Sequence, residues 1–191
     1  VLKALGATAG ATAFAPLLSD RGLLAFQQLQ ASKAPPNLLV LSPPQYATLE
    51  AFAETIIPAD ERSPGAKEAR VADYVDLLLS EAEDPVKLQW LGGLAELDEE
   101  AEARYRRPYA KLTPSEREAL VGEISRNERA PTAPIEAFFA MAKSATIHGF
   151  YTSEIGIHQE LRYKGNQMLE EFAGCLTEDG KDCPHCGQKS S

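Results

Sequence analysis

The side chains best suited to chemistry lie near the C-terminal end of the 191-residue chain, where Cys175, Cys183 and Cys186 are its three cysteines. Cys183-Pro-His-Cys-Gly187 has the form of one zinc knuckle, a Cys-x-x-Cys pair before a turn glycine that suits tetrahedral Zn–S geometry. A zinc ribbon needs a second such pair. Only Cys175 and His185 are on hand to complete a site, and His185 adjoins Cys186 in a cramped chelate. Covalent haem attachment is excluded here, because it requires His directly after the second cysteine and Gly187 stands there. In an oxidising compartment the expected outcome is a disulfide, with one thiol left free or paired to another chain; zinc and free thiols remain open.

The other candidates are thinner. Glu154 and His158 stand at i,i+4 and could share a helix face, but a helical di-metal site needs more carboxylates and a second Glu-x-x-His. A side-chain hydrogen bond between the two is expected instead. His148 beside Gly149 could act as a general base, yet no partner for it is visible, which favours a structural role. Asp60-Glu61 with Ser63 could attract a cation but reads as a solvated loop. No Gly-x-Ser-x-Gly elbow, Walker loop or Gly-x-Gly-x-x-Gly fingerprint occurs. The residues therefore assign no catalytic, cofactor-binding or metal-ligating position to this chain. What stands out is the aromatic and polar density of residues 149–166, with Tyr151, Tyr163, Glu160 and Arg162, a mixture enriched at protein interfaces. An internal network fixing the last helix accounts for it equally well. The candidates for partner contact are Trp90, Phe150, Tyr151, Glu154, Arg162 and Tyr163.

Helices must position these residues. Ser42-Pro43-Pro44 opens one, with Tyr46, Leu49, Phe52, Ala53 and Ile56 at helical spacing before Pro58. Val71, Tyr74, Val75, Leu78 and Leu79 form the inner stripe of a second helix. Asp84-Pro85 starts a third, whose acidic second half, Glu96–Arg104, reads as a solvated face. Thr113-Pro-Ser-Glu116 is a capping box for a fourth, and a fifth runs from about Ile135 through Phe138, Phe139, Ala142 and Ile147. No stretch alternates apolar and polar residues as a strand would, so the expected fold is all-α, a small bundle of about five to six helices over residues 42–170. Residues 19–41 read as a connector with a short helix at 21–31 and an extended passage after Pro35-Pro36. Residues 171–191 form a Cys-containing tail.

Composition narrows the function. Hydrophobic residues make up 44% and charged residues 25%, the profile of a soluble globular protein. Nineteen basic against 28 acidic residues leave a net charge of −9, which repels phosphate backbones and argues against nucleic-acid binding. Residues 1–18 carry one charge, Lys3, in an Ala/Gly/Thr run. As a helix this would span roughly 22 Å, short of the ~30 Å hydrocarbon core, so an export signal fits better than a membrane span. Ala11-Thr12-Ala13 suits a peptidase, and a buried Ala-rich helix is the competing reading. Val1-Leu2-Lys3 resembles the end of a twin-arginine motif, which places an arginine pair upstream. The leader is expected to be retained and docked.

Phe150-Tyr-Thr-Ser-Glu-Ile-Gly156, then Glu160-Leu-Arg-Tyr163 and Gly165-Asn166, resembles the late motif of the gluconate 2-dehydrogenase subunit 3 family. Phe52-Ala-Glu-Thr-Ile-Ile-Pro58, Ser63-Pro-Gly-Ala66 and Val71 through Asp76 are similar to its opening motif. The resemblance spans about residues 42–168. It implies a non-catalytic small subunit of a periplasmic sugar or polyol dehydrogenase complex. The catalytic partner would be a glucose-methanol-choline-type flavoprotein holding FAD, and a multihaem c-type cytochrome often accepts the electrons. In such complexes the small subunit carries the twin-arginine signal and escorts its folded partner, so membrane association comes through the complex or the leader. The cysteine tail departs from the family's core pattern. Two alternatives remain: a stand-alone metal-dependent enzyme using Glu154, His158 and the cysteines, and a general periplasmic chaperone or binding module.

Overall fold

Prolines and short polar side chains set where the helices begin. In the computed structural model, which describes residues 18–32 and 35–165, six α-helices follow one another: α1 (Asp20–Ser32), α2 (Pro43–Ile56), α3 (Val71–Glu81), α4 (Asp84–Tyr105), α5 (Pro114–Ile124) and α6 (Pro134–Tyr151). A 3-10 turn at Tyr109–Lys111 joins α4 to α5, and a π-helical turn at Ile155–Glu160 follows α6. No strand occurs among the described residues, so the fold is a small all-α bundle. The Ser42 amide and hydroxyl both donate to Gln45 Oε1, at 2.9 and 2.8 Å, ahead of the proline pair of α2. At α5 the capping box closes in both directions: the Thr113 amide donates to Glu116 Oε2 at 2.8 Å, and the Glu116 amide to Thr113 Oγ1 at 3.4 Å. Ala133 at the N-cap of α6 has no side-chain oxygen to offer. Glu136 substitutes for it, accepting from the amides of Thr132 and Ala133, the Thr132 hydroxyl and the Asn127 amide group.

α2 lies at the centre, packed against α3, α4, α5, α6 and the 3-10 turn. Its Phe52 is fully buried and meets Phe138, Phe139 and Tyr109 at ring-centroid distances of 6.1, 6.1 and 6.4 Å. α4 crosses α6 closely because Gly93 has no side chain: a Cβ there would lie 2.0 Å from Phe138 Cδ2. The acidic second half of α4 is not uniformly a solvated face. Asp98 turns inward, accepting from the Thr48 hydroxyl at 3.0 Å and the Tyr109 amide at 2.8 Å, which fixes the 3-10 turn against α2.

The stretch read as a connector belongs to the body. Phe26 of α1 is fully buried, edge-on to Tyr74 at 5.3 Å. Farther along, the buried Asp76 carboxylate accepts from three consecutive amides, Leu39, Val40 and Leu41, at 2.6, 3.1 and 2.8 Å. Residues 1–17 of the stretch 1–18 read as an export signal, and the tail with Cys175, Cys183 and Cys186, lie outside the described residues.

Candidate functional site

Two stretches far apart in sequence, 52–76 and 149–163, meet in space. Phe150 is buried among Ala53, Ala66, Ala69 and Val71, where three alanines leave room for its ring. Gly149 lets α6 press against α3, since a Cβ would lie 2.9 Å from Tyr74 Cδ1. Beyond Phe150 the chain bends back sharply. The buried Ser153 hydroxyl donates to the Phe150 carbonyl at 2.5 Å and accepts from the Gly156 amide at 3.0 Å. A Cβ on Gly156 would sit 2.0 Å from that same carbonyl oxygen, so only glycine fits the inside of the π turn.

A polar network lies beside this junction. Arg70, in the left-handed region at φ 57°, precedes α3 and grips Asp73 with two bonds, Nε–Oδ2 at 3.0 Å and Nη2–Oδ1 at 3.1 Å. Its third nitrogen, Nη1, donates to the Leu29 carbonyl at 2.7 Å. The Tyr46 hydroxyl donates to Asp73 Oδ2 at 3.0 Å. Burial, then the Asp73 charge, pushes the Tyr46 phenol well above its ordinary value, so it remains a donor. The hydrogen bond to Asp73 likewise raises Arg70. Over this network opens a cleft of about 710 Å³, whose walls include Glu50, Lys67, Glu68, Glu154 and Gln159. Lys67 pairs with Glu50 at 3.0 Å. The arrangement is one for holding segments together: each guanidinium nitrogen and both Asp73 oxygens are engaged within the chain.

The expected contact residues divide into two groups. Trp90 and Phe150 are corrected to core residues, at 0% and 1% exposed. Trp90 stands edge-on to Phe138 at 5.8 Å between α4 and α6, and its indole N–H has no partner among the described residues. Tyr151, Glu154, Arg162 and Tyr163 are on the surface, with Tyr151 and Tyr163 at 40% and 48% exposed. Ile147 shares the Tyr151 face of α6, and Leu161 lies in the turn before Tyr163; both are exposed. Arg162 adopts a left-handed φ of 50°, where the chain leaves the π turn. The expected Glu154–His158 hydrogen bond does not form, because the π turn widens the spacing. The Glu154 amide instead bonds Gln30 Oε1 at 3.3 Å, and the two side chains border a cleft of about 210 Å³. His148 is exposed on α6. Asp60 accepts from the Arg62 and Ser63 amides, closing its own loop.

Asp73 and Asp76 were not among the expected site residues. Their signal is two carboxylates three apart inside an otherwise apolar helical stripe, Val71-Ala-Asp-Tyr-Val-Asp-Leu-Leu-Leu79. Among the described residues no three His, Cys, Asp or Glu side chains gather as a metal-ligand set. No described helix is long and apolar enough to cross a membrane.

The fold and the junction thus define a small helical module whose two motifs interlock. A family model described as gluconate 2-dehydrogenase subunit 3 matches residues 43–168, which takes in α2 through the π turn. The chain belongs to the gluconate 2-dehydrogenase subunit 3 family. Comparison with curated proteins and with solved structures returned no match.

Proposed function

We propose that this chain is the non-catalytic small subunit of a periplasmic FAD-dependent sugar or polyol dehydrogenase complex, which stabilises a folded glucose-methanol-choline-type flavoprotein and escorts it through twin-arginine export. The observation that carries the reading is family membership over residues 43–168. The structure supports it physically. The polar residues of both motifs are spent on binding α1, α2, α3 and the π turn to one another. Four of the seven large apolar side chains exposed among the described residues, Ile147, Tyr151, Leu161 and Tyr163, fall between positions 147 and 163. Clustering of that kind, with Arg162 among the tyrosines, is what a partner-binding surface offers. FAD then resides in the partner, electrons pass to a multihaem c-type cytochrome where the complex has one, and nucleic acid is no partner.

Purification of the native complex from its source tests this. The expected result is one flavoprotein at 1:1, seen as a flavin spectrum with two subunits in equal amount, and a cytoplasmic flavoprotein when this chain is deleted. Substrate turnover by the chain alone, or normal export of the flavoprotein without it, overturns the reading.

A further inference from the structure

α1 is seated differently from the other helices. It packs chiefly on α3 and inserts one large, fully buried side chain, Phe26, while Leu24, Gln27 and Gln28 face solvent. Both of its long flanks open into clefts. One, of about 390 Å³, lies between Ala25, Gln28 and Asp76; the other, of about 210 Å³, lies between Gln27, Gln30 and His158. Phe26, Leu23 and the preceding Leu18 tie the helix to the core, and the polar bonds that hold it sit at its ends. At the start, the Ser19 amide and hydroxyl donate to Glu81 at 2.9 and 2.5 Å. At the finish, Arg70 Nη1 donates to the Leu29 carbonyl, Gln30 Nε2 donates to the Ala69 carbonyl at 3.1 Å, and Gln30 Oε1 accepts the Glu154 amide.

Local opening follows the lines of least buried apolar contact. We infer that α1 is a latch helix, which opens from α3 as one unit while the rest of the bundle stays folded, with Gln30 and Arg70 as the catch. Opening strands no buried charge, because Arg70 keeps both of its bonds to Asp73 when the Leu29 carbonyl departs. It stops at Leu39, where the three-amide grip of Asp76 begins. α1 lies ahead of the matched family region, which starts at residue 43. An open latch bares the seat of Phe26 on Tyr74.

Hydrogen exchange of the full chain, followed by mass spectrometry, tests the inference. Amides of Phe26–Gln30, corrected for intrinsic rates, are expected to exchange at least about tenfold faster than those of Val75–Leu79. Gln30→Ala removes two end bonds and is expected to speed α1 about fivefold further, with α3 and α6 within about twofold of the parent. Ser19→Ala, at the opposite end, must likewise act on α1 alone. Equal protection of α1 and α3 in the parent overturns the latch. So does a variant that speeds all three helices together, or one that leaves α1 unchanged.

Discussion

Buried carboxylates and one glycine carry more of this fold than their number suggests. Asp76 is 3% exposed and its two oxygens serve three amides. Asp76→Asn keeps the shape but puts a donor where at least one amide needs an acceptor. It should cost about 2–3 kcal/mol in urea unfolding, the range for losing a hydrogen bond to a charged group. Gly156→Ala meets backbone rather than a movable side chain, the Phe150 carbonyl oxygen at 2.0 Å. It is expected to lose about 3 kcal/mol by the same measurement, as for overpacking at a site that cannot relax. Legibility differs between the two. The glycine stands in a motif visible as sequence. The role of Asp76 depends on residues 39–41 folding back over α3, a contact across more than thirty positions that local patterning does not encode. Trp90 and Phe150 show the same limit from the other side. An aromatic residue looks alike in sequence whether it fills the chain's own core or faces a partner, and only the position of α6 decides that both point inward.

Helix starts were the most legible feature, because the chemistry that satisfies a helix N-terminus is local. Thr113 with Glu116 and Ser42 with its prolines mark observed starts, and the helix read from about Ile135 begins at Pro134. The π turn was not legible: it arises when Gly156 lets backbone approach backbone, and its i to i+5 spacing leaves no apolar period to read. The 3-10 turn depends on Asp98 reaching the Tyr109 amide from α4, which is again a tertiary contact. The start of α6 makes a pH prediction. Four donors, the Thr132 amide first among them, hold the Glu136 carboxyl at about 2, below the ordinary 4.5. A carboxylate depressed in the folded state contributes stability that is fully present above its unfolded value and is lost as pH falls through the folded one. The melting temperature should therefore decline between about pH 4.5 and 2. Glu136→Gln should flatten that acid limb relative to the parent, and a limb of unchanged slope would show that α6 is capped by other means.

At the scale of the molecule, stability and the proposed partner contact are separable, because they are assigned to different residues. Trp90 and Tyr151 make the contrast. The first is fully buried between α4 and α6; the second stands on the outer face of α6 with 40% of its surface free. Trp90→Ala empties a core site and should lower stability by about 3–5 kcal/mol. It weakens any complex only as far as it unfolds the chain. Tyr151→Ala together with Tyr163→Ala removes exposed rings from the stretch between 147 and 163 and should leave the unfolding midpoint of the isolated chain nearly unchanged. If that stretch grips the proposed flavoprotein partner, loss of two aromatic anchors should weaken the complex by at least about 2 kcal/mol, close to thirtyfold in Kd. The measurement is co-purification with, and titration against, the flavin-containing subunit. A double variant that binds as the parent does would move the proposed docking surface elsewhere on the bundle, most simply to the exposed Leu24 of α1 or Leu88 of α4. A double variant that melts like Trp90→Ala would mean that these tyrosines support the fold rather than the complex. Because the two readouts respond to different residues, a loss of binding at unchanged stability has one physical source, the surface itself.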